Sequence, residues 1–143
     1  MKIHDELRNG VVTTSAEETR AFGASLAAAL PPDVTVALHG DLGVGKTTFV
    51  QGLARGLGVG GAVTSPTFNL FHLYHGARTL VHLDAYRLDD ARQVGELMLD
   101  DFLVSPYCLA VEWPDRIAAW LPADALHVTL AIEAPGRHRL TLR

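Results

Sequence analysis

The stretch Gly40-Asp41-Leu42-Gly43-Val44-Gly45-Lys46-Thr47 constrains the fold of this chain more than any other. It matches the pattern G-x-x-x-x-G-K-[ST], in which a glycine-rich turn joins a β-strand to an α-helix. The backbone N–H groups of such a turn point inward, and the following helix presents its positive N-terminal end. The pattern therefore predicts a turn that binds polyphosphate.

The residues around this turn fit the same arrangement. Residues 33–39 are β-rich and enter the turn, and the apolar residues of 48–57 recur at helical spacing. Of twelve basic residues only Lys2 and Lys46 are lysines, yet the turn retains one. A compact ammonium fits a phosphate cavity that a planar guanidinium does not. The alternative is a glycine-rich turn that caps a helix and binds no ligand.

Each residue type in the turn has an expected role. Lys46 is a flexible point charge for the outer phosphates, and the hydroxyl of Thr47 is placed to bind Mg²⁺. The residues expected to contact the phosphates are Gly40, Asp41, Leu42, Gly43, Val44, Gly45, Lys46, Thr47 and Thr48.

Composition narrows the class of protein. The content of hydrophobic residues, 48%, is typical of a globular chain, and no apolar run is long enough to cross a membrane. The single cysteine, Cys108, lies in an apolar run and is interpreted as a small buried residue, which favours a cytoplasmic protein. The formal net charge of −4 argues against independent binding of nucleic acid.

Strands and helices are predicted to alternate along the chain. Ser15 and Glu18 form a capping-box pattern at the start of a helix that Pro31 and Pro32 end. Further strands are expected at 79–84 and 107–112, helices at 89–103 and 114–121, and a hairpin of 126–132 with 138–142. We predict one domain over residues 1–143 with an α/β fold, a mainly parallel central sheet, antiparallel additions and flanking helices.

Two acids stand where predicted buried strands end. Asp84 follows Leu80-Val81-His82-Leu83, and Glu112 follows Leu109-Ala110-Val111. Because the carboxyl ends of strands in an open α/β sheet are where ligands bind, both acids are expected near the phosphates. With Thr47 they are the candidate Mg²⁺ ligands. The alternative role for each acid is to cap a helix.

Three other groups of residues are weaker candidates for the site. Ser65-Pro66-Thr67-Phe68 supplies hydroxyls on a stiff turn, so Thr67 is a candidate switch residue, although an ordinary Ser-Pro turn explains the spacing. The histidines at 72, 75 and 82 lack the spacing of a zinc site. Trp113 is interpreted as a packing residue that can also touch the nucleotide or a partner.

Four motifs in order resemble the TsaE (YjeE) family, the small ATPase of bacterial tRNA threonylcarbamoyladenosine synthesis. They are residues 40–48, Ser65-Pro66-Thr67-Phe68, His82-Leu83-Asp84-Ala85-Tyr86-Arg87-Leu88 and Val111-Glu112-Trp113-Pro114. The first motif is shared by many ATPases, and the other three in this order are far more specific. The resemblance covers nearly the whole chain.

The resemblance implies a small P-loop fold, Mg²⁺-dependent ATP binding, and weak hydrolysis to ADP. It implies action on a complex of TsaD and TsaB, which modifies the adenosine beside the anticodon, so that contact with tRNA is indirect. The motifs imply four catalytic residues, which are Lys46, Asp84, Glu112 and Thr67. Among them, Glu112 is expected near the metal ion. The adenine end is expected near Ser15 and Ala16 on one side and near Gly136 and Arg137 on the other.

The glycine-rich loop also fits three other functions. A small-molecule kinase shares the loop and the acids, but usually adds an Arg-rich lid. A nucleotide sensor would bind ATP without hydrolysis. A GTPase would need an N-K-x-D motif, which the sequence lacks.

Overall fold

The computed structural model describes residues 2–41, 43–60 and 70–143. The helices in this part are α1 (Lys2–Asn9), α2 (Ala16–Ala29), α3 (Lys46–Gly56) and α4 (Ala91–Glu96), with 3₁₀ turns at Leu99–Asp101 and Pro114–Ile117. The strands are β1 (Val11–Thr13), β2 (Val34–His39), β3 (Phe71–His75), β4 (Thr79–Asp84), β5 (Tyr107–Glu112), β6 (Leu126–Ala134) and β7 (Arg137–Leu142).

One mixed sheet carries these strands, in the order β1-β7-β6-β2-β5-β4-β3. The four central strands, β6, β2, β5 and β4, are parallel to one another, whereas β3, β7 and β1 join by antiparallel pairing. The α/β class, the parallel centre and the final hairpin are confirmed. The expectation of a mainly parallel sheet needs correction, because antiparallel pairings between the described strands are as numerous as parallel ones.

The central strands β2, β4 and β5 are buried on both faces of the sheet. On one face α2 and α3 cover β2, with Leu26, Phe49 and Leu53 fully buried against Val36 and Leu38. On the other face, α4 and the turn Pro114–Ile117 cover the inward residues of β4 and β5. Buried parallel strands of this kind are almost continuously apolar, as the sequences of β2, β4 and β5 are.

The helices α2 and α3 approach each other closely at glycines. A methyl group added to Gly52 would collide with the backbone carbonyl of Arg20, and one added to Gly23 would collide with that of Phe49. Bare Cα positions on both helices therefore set the distance between them. Because α3 begins at Lys46, this contact also helps to position the N-terminal end of α3, where the glycine-rich loop ends.

The boundaries of two helices show how local signals act. Ser15 caps α2 by accepting a hydrogen bond from Glu18 N–H, and the Glu18 carboxylate reaches back to Thr14 N–H at 2.7 Å, which confirms the predicted cap. The helix expected over 89–103 is instead divided, because Met98 takes a left-handed conformation (φ 55°) between α4 and the turn Leu99–Asp101. No helix in the described part of the chain is long and apolar enough to span a bilayer.

Candidate functional site

The glycine-rich loop leaves the carboxyl end of β2 and enters α3. Gly45 is the N-cap of α3 with φ 98°, and Gly40 has φ 143° with no room for a Cβ against the carbonyl of Leu130. Both positions need glycine, one for its dihedral angle and one also for the close approach of β6. Leu42, the third loop position, lies outside the described residues.

Lys46 is the most enclosed charge of the loop. It is 4% exposed, its ammonium donates to the carbonyl of Gly40 at 2.7 Å, and its Nζ lies 3.6 Å from the centre of the Trp113 ring. Burial lowers the pKa of Lys46, while the nearby charges of Glu112, Asp84 and Asp41 act in the opposite direction. A desolvated cation surrounded by acids is suited to exchange these contacts for phosphate oxygens.

The two predicted acids lie together, next to the loop. Asp84 and Glu112 are register partners on the parallel strands β4 and β5, so their side chains share one face and one end of the sheet. The Asp84 carboxylate accepts a hydrogen bond from Tyr86 N–H at 3.0 Å. Both acids line an open cavity of about 300 Å³, together with Gly43, Gly45, Lys46, Thr47, Thr48 and Trp113.

Glu112 is held from two sides. Its Oε2 lies 2.5 Å from Nε2 of His82 and 3.3 Å from the hydroxyl of Thr47. Glu112 is 5% exposed and His82 is fully buried. The acid is therefore fixed at the cavity wall by a strand on one side and by the first turn of α3 on the other.

The oxygen atoms around Thr47 are suitable ligands for a magnesium ion. A hydroxyl and two carboxylates supply oxygen ligands, which are the ligands that Mg²⁺ prefers, and they leave room for phosphate oxygens. Within the described residues no group of three or more His, Cys, Asp or Glu is arranged as a complete metal site. Mg²⁺ bound chiefly by water and phosphate, with one or two protein ligands, agrees with both observations.

A second cavity of about 350 Å³ also borders the loop. Its lining includes Ser15, Ala16 and Gly136, all expected at the adenine end, and Gly43, Val44, Gly45 and Thr48 from the loop. Thr14, Thr19 and His138 complete its described lining, which does not include Arg137. Arg137 is exposed at the start of β7.

Some of the remaining predicted residues line a cavity, and others lie outside the described residues. Trp113 packs against both Lys46 and Tyr86, so it belongs to the cavity wall rather than to the core alone. Gly40 and Asp41 line a smaller cavity of about 130 Å³ beside His39 and Trp113. Thr67 and its motif lie outside the described residues.

Sequence reasoning missed His82 and His138. The residue types indicate only a possible zinc ligand at His82, and its place in the motif of residues 82–88 gives it no role of its own, yet its Nε2 contacts Glu112. A signal was present, since His82 is the one polar residue inside the apolar run of β4. His138 carried no such signal, because β7 alternates polar and apolar residues like any half-exposed strand.

Comparisons with known proteins agree with one another. The sequence model of the family described as threonylcarbamoyl adenosine biosynthesis protein TsaE matches residues 13–140. The tRNA threonylcarbamoyladenosine biosynthesis protein TsaE of Treponema pallidum is 36% identical over 92% of this chain and 97% of its own length. The protein of the same name from Bacillus subtilis is 39% identical over 90% and 81%.

A solved structure extends the likeness to the fold. The crystal structure of Bacillus subtilis YdiB superposes with a TM-score of 0.74 and 33% sequence identity, covering 93% of this chain and 82% of that one. With a family match over most of the sequence and a shared fold, the chain belongs to the TsaE family of threonylcarbamoyladenosine biosynthesis proteins.

Proposed function

We propose that this protein binds Mg²⁺·ATP at the glycine-rich loop and hydrolyses it weakly to ADP and phosphate, in support of threonylcarbamoyl modification of the tRNA adenosine next to the anticodon. One observation carries the proposal. Lys46, Thr47, Asp84 and Glu112 line a single cavity at the N-terminal end of α3. A buried cation, a hydroxyl and two acids are the groups that phosphoryl transfer to water requires.

The contacts support one assignment of roles within this proposal. Lys46 leaves the carbonyl of Gly40 to bind the outer phosphates. Thr47 and Glu112, which already share a hydrogen bond, stand on the magnesium side. Asp84, next to Glu112 in the same cavity, orients the attacking water. Bound Mg²⁺ neutralises charge that develops on the phosphates.

The second cavity is the proposed adenine end. It begins at the same loop, since Gly43, Gly45 and Thr48 line both cavities. Ser15 and Ala16 at the start of α2, and Gly136 in the β6–β7 turn, form its outer walls. A nucleotide that lies across the loop therefore reaches both.

The partner in this proposal is a TsaD–TsaB complex in the cytoplasm, and tRNA is met through that complex. The family places the chain in the threonylcarbamoyladenosine pathway. Its net charge of −4 is poorly suited to gripping RNA directly, since phosphate contacts supply most of non-specific affinity.

Calorimetric titration with Mg²⁺·ATP tests the site. Lys46→Ala is expected to abolish measurable binding, whereas Lys2→Ala, the matched control at the other lysine and on an exposed position of α1, is expected to bind like the wild type. Normal affinity in the Lys46→Ala protein would refute the loop assignment.

Product analysis tests the activity. Phosphate release from ATP is measured with and without purified TsaD and TsaB, and we expect free phosphate in both cases. A phosphorylated small molecule instead of free phosphate would favour a kinase. Binding without turnover would favour a nucleotide sensor. In the presence of the partners, tRNA modification is expected to stop after about one cycle when this protein is omitted.

A further inference from the structure

His82 is a polar side chain on an apolar surface. It is fully buried on β4, opposite Ala110 of β5, on the sheet face that packs against α2 and α3. Glu112 lies two residues after Ala110, so its side chain is on the same face as His82. This register brings Nε2 of His82 to 2.5 Å from Oε2 of Glu112.

Packing alone does not explain a histidine at this position. Its Nδ1 is buried without a hydrogen-bond partner among the described residues, which is unfavourable and which a leucine or phenylalanine would avoid. A carboxylate can only accept hydrogen bonds, so Nε2 carries the hydrogen and donates it to Glu112. The hydrogen bond to Glu112 is therefore the interaction that a histidine makes at this position and an apolar residue would not.

The hydrogen bond ends on an oxygen that α3 also holds. The hydroxyl of Thr47 donates to the same Oε2, at 3.3 Å. Oε2 thus joins β4, β5 and the first turn of α3 at one point. Without His82, only the longer contact from Thr47 would remain of these two bonds to Oε2.

We propose that His82 is a positioning residue, which fixes the Glu112 carboxylate beside Thr47 so that both are aligned for the divalent ion of the bound nucleotide. This inference rests on the proposed function, because it assigns Glu112 to the metal side. His82 itself contacts neither nucleotide nor metal in this scheme. It acts by orientation, as the outer partners of metal-binding carboxylates do.

Three variants separate orientation from simple packing. His82→Leu fills the apolar space without a donor. His82→Gln places an amide N–H near the position of the imidazole Nε2. His82→Asn places its amide near Nδ1, too far back to reach Glu112. Thermal unfolding of each protein with and without ADP confirms that the variants compared are folded.

The readout is the affinity of Mn²⁺ for the protein–ADP complex, measured by electron paramagnetic resonance, with Mn²⁺ as a probe for Mg²⁺. We expect His82→Leu and His82→Asn to weaken Mn²⁺ affinity about 10- to 100-fold, the usual effect of losing an outer partner of a metal site. We expect His82→Gln to recover most of this loss. Affinity for ADP in EDTA should stay within about twofold of wild type in all three, because no metal is then bound.

Equal Mn²⁺ affinity in the glutamine and leucine variants, or an unchanged affinity in the leucine variant, would overturn the inference. An equal loss of ADP affinity with and without metal would overturn it too, since it would indicate a general disturbance of the loop. These results differ from failure of the proposed function, in which the wild-type protein itself binds no ADP, and in that case the inference falls with it.

Discussion

The Asp84 carboxylate combines a structural contact with a proposed catalytic role, and the two can be separated. One oxygen accepts from Tyr86 N–H and shapes the turn after β4, while the charge faces the cavity shared with Lys46. An asparagine keeps an acceptor for Tyr86 but loses the negative charge. We therefore expect Asp84→Asn to bind ATP with near-normal affinity and to lose about 10²- to 10⁴-fold in turnover, the usual contribution of a group that orients or deprotonates a nucleophile.

The measurement pairs calorimetric ATP binding with phosphate release. Asp89→Asn is the control, because Asp89 is an exposed acid after the same strand that does not line the cavity. Unchanged turnover in Asp84→Asn would reduce Asp84 to a structural residue of the turn.

We expect His39 to make the stability of the protein depend on pH. It ends β2 beside the loop, shares a hydrogen bond with His127 at 2.8 Å, and lies 3.8 Å from an Asp115 oxygen. Burial lowers the pKa of His39, and the positive charge of Arg143 lowers it further, while Asp115 opposes both. The folded protein therefore favours the neutral ring.

Since the unfolded chain takes up a proton near pH 6.5 and the folded chain does so only at lower pH, the free energy of unfolding should fall as pH drops below about 6.5. We expect His39→Gln to show a shallower decline over this range. Urea unfolding at a series of pH values measures both proteins, and parallel curves would exclude His39 as the cause.

At the level of elements, the close approach of α2 and α3 at Gly23 and Gly52 should affect both the stability of the fold and the position of the loop residues on α3. We expect Gly52→Ala to lower the free energy of unfolding by about 1–3 kcal/mol, because its methyl group would displace the backbone of Arg20. Nucleotide affinity should fall as well, since α3 carries Lys46 and Thr47.

Gly95→Ala is the matched helix control. Gly95 is exposed in α4 and has open space around an added methyl group, so this change should stabilise by up to about 1 kcal/mol with no effect on binding. Urea unfolding with nucleotide titration distinguishes the two. A stabilised Gly52→Ala protein would show that the helices are not in close contact there.

Elements with strong local signals were predicted well. The strand β2, the turn and α3 follow from residue spacing, and the cap of α2 follows from Ser15 and Glu18. In contrast, α1 and β1 were not predicted. β1 has only three residues and exists by pairing with β7, a partner that comes more than a hundred residues later and that no local pattern reveals.

The positions of the acids could be predicted, but the order of the strands could not. Asp84 and Glu112 both end apolar strands, and the ends of parallel strands meet at one edge of a sheet. The pairing of His82 with Glu112 depends on the register between β4 and β5, which becomes visible only when the sheet is assembled. The place of β2 between β5 and β6 likewise depends on the whole chain.

For the molecule as a whole, Cys108 reports on opening of the sheet. It is fully buried in β5 between β2 and β4, and burial raises the pKa of its thiol to about 12. We expect a thiol reagent at pH 8 to react at least on the order of 10³-fold more slowly with the folded protein than with the protein in urea.

As Cys108 is the single cysteine, the signal has one source. A nucleotide that binds only the folded state should slow the reaction further. Rapid labelling in native buffer would contradict the packing described for β5.

The central position of β2 affects which parts of the sheet open first in local unfolding. Because β5 and β6 flank β2 on both sides, whereas β1 and β3 are edge strands, the edges of the sheet can fray while the strand at the base of the glycine-rich loop stays paired. In deuterium oxide, the β2 amides should then be the last to exchange and those of β1 and β3 among the first, so that the strand that carries the glycine-rich loop keeps its shape while the protein around it loosens.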